Sequence, residues 1–388
     1  MPELVVTFDP RKWGAVRGAL KSVSPTMPAR LAAPLRTVSG LALYPDMGLG
    51  FVDDRHVDVG RMARIPGVVV RPARTFCHPP TTFSRRQNLR APIVSLRPTW
   101  LDDDEITWML SAIGMPVDGD EGDGILVGVV DSGVDAKHLD VKDCLASTVA
   151  MIPNVDPRED ALGHGTHVVG IIAGSKKPAS GPRYGIAPRA QINAYRIYDK
   201  ANAASEHAVM AGIHRAVDDG CRIVVLASGV ATNDQYDAAD AELGKYVASR
   251  GAILFSAAGN MSNRKQGTVK PTDAPANAPR IYAIGAMNHS GALWPQSNGT
   301  ADDEARRVDW LAPGVDIVSA LNGSVDQTIS ADGTSAATAV AAGVAAAVWS
   351  RDPHQSATSV LSKMRTYSVV VDGPSGAVGD GRVRVRKE

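Results

Sequence analysis

From about Glu105 to the C-terminus, short apolar runs alternate with segments of helical periodicity. Ile125–Val130 is a continuous apolar run, which is typical of a strand buried on both faces of a sheet. The segment 202–218 has apolar residues at helical spacing and leads to a second apolar run, Ile223–Leu226. This alternation predicts an α/β fold, in which a mostly parallel sheet carries helices on both faces.

The N-terminal part of the chain has a different pattern. Four apolar runs predict strands near Leu4–Phe8, Leu41–Tyr44, Leu49–Val52 and Val68–Val70, and two segments between them have helical spacing. The order β-α-β-β-α-β is ferredoxin-like. We therefore predict a small α+β domain at residues 1–80, a proline-rich linker at 81–104 and the main domain at 105–388.

Composition excludes several classes of partner. The formal net charge is zero and the pI is about 7.1, so nothing indicates binding to nucleic acid or to a membrane surface. The N-terminus lacks the basic and apolar regions of a signal peptide, which favours a cytoplasmic location; export by a route not visible in the sequence is the alternative. No motif indicates a cofactor.

Three segments carry residues suited to catalysis. Asp131 directly follows the first apolar strand, His164 lies at a predicted helix start together with His167, and Ser335 opens a helix of very small residues. Taken singly, each has an ordinary explanation: a strand-end turn, a structural histidine pair or a metal site, and a helix cap. Their order along the chain, Asp–His–Ser, is the order of a subtilisin-type triad, and a G-x-S-x-G elbow is absent from the sequence.

These segments resemble the motifs of the subtilase family. The matching stretches, within a resemblance that covers residue 105 to the C-terminus, are Val129–Asp135, Gly163–Gly170, Ser256–Asn260, Leu311–Gly314 and Gly333–Ser335. The resemblance implies a serine endopeptidase that works through an acyl-enzyme, with Asp131, His164 and Ser335 as the catalytic triad. It also implies that the Asn260 side chain and the Ser335 backbone N–H stabilise the oxyanion.

The resemblance further implies where a peptide or protein substrate binds. Substrate backbone would pair as an added strand with Ala227, Ser228 and Gly229, and a second wall of the S1 pocket would be formed by Ala257, Ala258 and Gly259. These small residues indicate a roomy apolar pocket.

Two features depart from the family pattern. Ala336 and Ala339 stand where the family usually has Met and Pro. The loop Ser175–Gly181 contains two lysines in place of the usual Asn-rich calcium loop, and Asp140 alone matches a calcium ligand. We therefore predict no metal site.

The N-terminal domain is expected to be a propeptide that assists folding and then inhibits the protease. Its last strand, running from Val68 towards Phe76, would continue into the active-site cleft as an added strand beside Ala227–Gly229, and the bond cut would fall within about Thr75 to Arg90. A permanent regulatory or partner-binding domain is the competing hypothesis. For the protein as a whole, an acid-active sedolisin relative is disfavoured by His164, and an inactive scaffold is disfavoured by the complete triad.

Overall fold

The computed structural model describes residues 3–12, 41–53, 62, 64–77, 83–84, 106–115, 121–232, 236–300 and 308–387. Strands of this part of the chain are β1 (Glu3–Phe8), β2 (Leu41–Tyr44), β3 (Leu49–Asp53), β4 (Val68–Pro72), β5 (Thr75–Phe76), β6 (Phe83–Ser84), β7 (Leu126–Asp131), β8 (Leu145–Ala150), β9 (Gln191–Arg196), β10 (Ala204–Ser205), β11 (Ile223–Leu226), β12 (Ile253–Ala257), β13 (Ile281–Met287), β14 (Trp310–Pro313), β15 (Ile317–Ala320) and β16 (Thr328–Ala331). Its α-helices are α1 (Trp108–Ala112), α2 (His164–Ala173), α3 (Glu206–Asp218), α4 (Ala238–Ser249), α5 (Thr334–Ser350), α6 (Ala357–Tyr367) and α7 (Ser375–Val378).

The main domain is built on a seven-stranded sheet in the order β14-β13-β12-β11-β7-β9-β8, and all neighbours run parallel. The α/β prediction is confirmed, and the predicted strand at 223–226 is β11 itself. The chain passes from β7 to β8 and β9 on one side, then crosses to β11 on the other. The carboxyl end of β7 is therefore the point where the strand order reverses, which is where open α/β sheets place their functional residues.

Side chains alternate between two cores, one on each face of this sheet. Val127 and Val129 of β7 lie in the core beneath α2 and α5, whereas Val130 lies in the core beneath α3 and α4. Both faces are thus covered by helices, which explains why the strands are almost continuously apolar.

The N-terminal sheet has the order β2-β3-β1-β4, with every neighbouring pair antiparallel. This is the strand arrangement of the ferredoxin-like fold that we predicted. A 3-10 turn at Pro10–Lys12 follows β1, but the predicted helix beyond it lies outside the described residues, as does most of the second helix.

One face of the N-terminal sheet packs against the main domain. Val5, Tyr44 and Phe51 share a core with residues of α3 and α4, whereas Val6 and Val52 lie in a separate small core on the other face. The two domains therefore bury apolar surface against each other.

The segment that follows β4 contacts the main domain at two places. β5 pairs with β10 in an antiparallel ladder, Phe76 opposite Ala204. β6 pairs with β16, Phe83 opposite Ala331. Thr75 and Phe76 thus pair with β10, a partner that we did not predict, and the residues 78–82 by which the strand would continue beside Ala227–Gly229 lie outside the described part of the chain.

None of the helices in the described ranges is long and apolar enough to cross a membrane.

Candidate active site

The central strand and the helix after it bring Asp131 and His164 together. Asp131 is the last residue of β7 and His164 the first of α2. The Nδ1 atom of His164 lies 2.8 Å from Oδ1 of Asp131, and the two residues are 5% and 1% exposed. Oδ1 also accepts a hydrogen bond of 2.7 Å from the Ser132 backbone N–H. A carboxylate at Nδ1 favours the tautomer whose Nε2 can accept a proton.

The ionisation of the two neighbouring histidines differs. Burial alone would lower the pKa of His164, but the charge and hydrogen bond of Asp131 outweigh it, so the pKa is raised. Burial, together with the charge of His164, lowers the pKa of His167 to about 4. The Nε2 atom of His167 lies 3.0 Å from the Ile317 carbonyl oxygen, so His167 serves as a neutral structural group, as we expected.

Asp160 fixes the start of α2, and the sequence analysis missed it. One carboxylate oxygen accepts the backbone N–H of Gly163 at 2.8 Å and the Ser132 hydroxyl at 2.7 Å. The other accepts the backbone N–H and the hydroxyl of Thr166, both at 2.7 Å. Asp160 thereby satisfies orphan amides of the first turn and ties the His164 helix to the end of β7. An acidic residue just before a predicted helix start was the available signal.

Ser335 is the second residue of α5, a helix whose residues Ala336–Trp349 are all buried. Its backbone N–H belongs to the first turn, where no helical carbonyl is available as an acceptor. The small side chains that follow Ser335 let α5 pack closely against α2 and the sheet. The position and small neighbours of Ser335 are those we predicted.

Asn260 is oriented by the residue before Ser335. Its Oδ1 atom accepts the backbone N–H of Thr334 at 2.9 Å and the Thr334 hydroxyl at 2.8 Å. The Thr334 hydroxyl oxygen also accepts the Gly259 backbone N–H at 3.1 Å. With Oδ1 engaged in this way, the Nδ2 donor faces the Gly333–Ser335 turn.

The space next to Gly333 lies beside the side chains of Ser335 and Asn260. A carbon attached to Gly333 would lie 3.0 Å from Ser335 Oγ, 3.4 Å from Asn260 Nδ2 and 3.6 Å from Ser335 N. One small volume is thus within reach of a hydroxyl nucleophile and of two hydrogen-bond donors. A hydroxyl and two N–H donors that converge on one volume are the groups that attack on a carbonyl uses, since its oxygen becomes negative.

The two predicted substrate walls follow adjacent parallel strands. Ala227–Gly229 follow β11, and Ala257–Gly259 end β12 and continue beyond it. The Ser228 hydroxyl oxygen accepts a hydrogen bond of 2.9 Å from Tyr198, and Ala258 is 0% exposed, within a core that includes Met287. The Ala258 N–H donates to the Ile284 carbonyl and its carbonyl accepts the Asp273 N–H, so Ala258 supports this wall from within the protein.

The loop at Ser175–Gly181 is held by Asp140. One carboxylate oxygen accepts the Ala179 backbone N–H and the other the Tyr184 hydroxyl, both at 2.7 Å. Lys176 forms an ion pair with Glu121. Protein donors thus occupy both oxygens of Asp140. Among the described residues, the group of three side chains spaced to share a metal ion is Asp46, His214 and Asp218, far along the chain from this loop.

The chain is similar to known proteins of one family. Residues 122–381 match the subtilase family, peptidase S8. The chain is 29% identical over 269 residues to subtilisin E of Bacillus subtilis, which covers 69% of this chain and 66% of the relative. It is 33% identical over 244 residues to the minor extracellular protease Epr of the same species, covering 63% of this chain and 35% of that protein.

The fold also resembles a solved structure, fervidolysin from Fervidobacterium pennivorans, described as a keratinolytic enzyme related to subtilisin. The TM-score is 0.73 at 21% identity, and the match covers 99% of this chain and 60% of fervidolysin. The chain thus spans less than two thirds of the length of subtilisin E or of fervidolysin. Since the family match extends over most of the chain and includes the segments that surround Gly333, this protein belongs to the subtilase family.

Proposed function

We propose that this protein is a serine endopeptidase with Asp131, His164 and Ser335 as its triad and Asn260 in its oxyanion hole. The observation that carries the proposal is the small volume beside Gly333, which lies within 3.6 Å of Ser335 Oγ, Asn260 Nδ2 and Ser335 N. The Asp131–His164 pair, at 2.8 Å, supplies the base that a serine nucleophile needs.

The chemistry follows from these positions. His164 accepts the Ser335 hydroxyl proton through Nε2 as Ser335 Oγ bonds to the substrate carbonyl carbon. Asp131 stabilises the resulting imidazolium, while Asn260 Nδ2 and the Ser335 N–H donate to the oxyanion. His164 then gives its proton to the leaving amine as the C–N bond breaks. Water, activated by the same histidine, hydrolyses the acyl-enzyme and regenerates Ser335.

The substrate is a peptide or protein strand. Ala227–Gly229 directly follow β11 and can pair with extended substrate backbone. The side chain preceding the scissile bond would enter between Ala227–Gly229 and Ala257–Gly259, where all of the residues are small.

We infer in addition that the N-terminal domain is an inhibitory propeptide. β5 pairs with β10, and β6 pairs with β16, which leads directly to Gly333 and Ser335. The chain between Phe76 and Phe83 therefore connects two strands attached to the main domain near the site. We place the bond cut in this connection, inside the range Thr75–Arg90. A permanent regulatory domain is the competing hypothesis.

The cellular location of the protein remains a proposal. The relative named as an extracellular protease does not support the cytoplasmic location that we predicted and is compatible with export.

Labelling with a fluorophosphonate tests the catalytic assignment. Wild-type protein should be labelled at Ser335 and lose all peptidase activity, whereas Ser335→Ala should be unlabelled and reduced by about a millionfold in kcat. Ser362→Ala, at an exposed helix position, is the matched control and should behave as wild type. Labelling that persists in Ser335→Ala would refute the assignment.

The same variants test processing. Wild-type protein should separate on a denaturing gel into a fragment of about residues 1–80 and a core, while Ser335→Ala should stay whole. Active wild-type enzyme that remains uncut would favour the permanent-domain hypothesis.

A further inference from the structure

Residues 273 and 274 close the gap between the two substrate walls. Ala274 exchanges backbone hydrogen bonds of 2.8 and 2.9 Å with Val230, directly after the first wall. The Asp273 backbone N–H donates to the carbonyl of Ala258, in the second wall, at 2.9 Å. The segment is thus attached to both walls, and Asp273 lies at the base of the slot between them.

The Asp273 side chain contacts the last residue of each wall, and both of these residues are glycines. A carbon attached to Gly229 would lie 2.9 Å from Asp273 Cβ, and one attached to Gly259 would lie 2.3 Å from Asp273 Oδ2. Larger residues at either position would displace the carboxyl group. Gly259 also has a φ of +104°, a conformation that side chains other than that of glycine rarely adopt.

Asn298 fixes one oxygen of this carboxyl group. The Asn298 Oδ1 atom accepts the backbone N–H groups of Met261 and Ser262, both at 2.9 Å, so its Nδ2 faces Asp273 and donates to Oδ1 at 3.0 Å. Within the described ranges, no cation pairs with Asp273 and its Oδ2 atom accepts no hydrogen bond. The packed neighbours contributed by the two walls and by Asn298 are uncharged.

Asp273 is therefore a buried carboxyl group that has no cationic partner among the described residues. It is 8% exposed, and burial raises its pKa to about 7, opposed by the Asn298 hydrogen bond. Burying an ionised carboxylate without a cationic partner costs free energy. A ligand that placed a positive charge beside Oδ2 would stabilise the ionised carboxylate and would therefore bind more tightly.

We propose that Asp273 determines specificity at the S1 pocket by binding a lysine or arginine side chain at the P1 position of the substrate. The inference rests on the proposed peptidase function and deepens it. The aliphatic stem of lysine or arginine would lie along the walls of small residues, while its charged end would reach Asp273 Oδ2. This replaces the roomy apolar pocket that the wall residues alone indicate.

The test compares two peptide anilides that differ only at P1, one with Arg and one with Phe, over about pH 5.5 to 9, a range that spans the pKa of Asp273. The wild-type ratio of kcat/KM, Arg over Phe, should exceed one and rise as the pH increases through about 7, because only the ionised Asp273 attracts the cation. Titration of His164 affects both substrates and cancels in the ratio.

Asp273→Asn keeps the shape of the side chain and removes its charge. It should lower the Arg/Phe ratio by about thirtyfold or more and remove the pH dependence of that ratio, while activity on the Phe substrate remains. Asp123→Asn, which removes an exposed carboxylate paired with Arg189, is the matched control and should leave the ratio unchanged.

The outcomes separate the two proposals. If wild-type enzyme cleaves the Phe substrate and Asp273→Asn leaves the Arg/Phe ratio unchanged, the specificity role is wrong and the peptidase function stands. If wild-type protein cleaves neither substrate and is not labelled at Ser335, the proposed function fails and the specificity role fails with it.

Discussion

The active site and the interface with the N-terminal domain are both built at the ends of helices, but they use charge in opposite ways. At the proposed active site one carboxylate, Asp131, holds one histidine, and the proposed oxyanion donors are neutral amides. At the interface, Arg71 and Arg74 of the N-terminal domain meet three carboxylates of the main domain, those of Glu206, Asp237 and Asp240.

The charges at the interface shift the pKa values of its buried carboxyl groups. Glu206 and Asp240 have side chains that are 0% exposed beside arginines that are about a fifth exposed. Burial would raise the pKa of Glu206, but its bonds to Arg71 and Arg74 outweigh burial and the pKa is lowered. The pKa of Asp240 is raised, because burial outweighs the attraction of Arg74. The hydrogen bonds of Asp131, His164 and Asn260 described above are made within the main domain, whereas the interface carboxylates pair with arginines of the N-terminal domain.

The largest effect that would separate the two regions is expected at Asn260. Asn260→Ala removes one oxyanion donor and should lower kcat by about a hundredfold to a thousandfold, with KM nearly unchanged. The same variant should bind the N-terminal domain as tightly as wild type, because Asn260 lies outside the ion-pair cluster. Steady-state kinetics on a short peptide measure the first effect, and an unchanged kcat would mean that another donor stabilises the oxyanion.

Glu206→Gln should have the converse effect. It removes the carboxylate shared by Arg71 and Arg74 and should weaken inhibition of the mature core by an added fragment of residues 1–80 by about thirtyfold or more. Its kcat should equal that of wild type. Asp380→Asn, which removes a partly exposed carboxylate paired with Arg365 within the main domain, is the control and should leave inhibition unchanged.

The sign of the acid effect at the interface follows from the lowered pKa of Glu206. Its contribution is present above the usual pKa of a glutamate and is lost as the pH falls through the lower value in the complex. Inhibition by the fragment should therefore weaken in acid, and inhibition of the Glu206→Gln core should weaken less. If inhibition of the Glu206→Gln core weakens as steeply as that of the wild-type core, the acid effect comes from a group other than Glu206.

The smallest effect should come from chelation. Because the Ala179 N–H and the Tyr184 hydroxyl already occupy both oxygens of Asp140, melting temperatures in millimolar calcium and in a chelator should agree within about two degrees. Differential scanning calorimetry of the Ser335→Ala variant avoids self-digestion. A large drop on chelation would reveal a calcium site outside this loop.

The sequence contained most of the fold and the order of the catalytic segments, because strand and helix periodicity and short motifs are local signals. It did not contain the partners that tertiary folding brings together. Asp273 follows an irregular loop, and its place between Gly229 and Gly259 depends on how three segments meet. Arg74 and Glu206 are separated by more than a hundred residues. Periodicity indicates which face of a segment is buried, but it does not indicate which other segment packs against that face. The pairing of Phe76 with β10 was not predicted for this reason.

The connection between Phe76 and Phe83 has a kinetic consequence. Strand pairing attaches the two ends of this connection to the main domain, at β10 and at β16, and β16 leads to Ser335. Its effective concentration at the site is then set by the geometry of the chain rather than by how many molecules share the solution. Self-processing would be a unimolecular event, so its half-time would not change on dilution. Cleavage of any other protein is bimolecular, and its rate would fall as the enzyme is diluted.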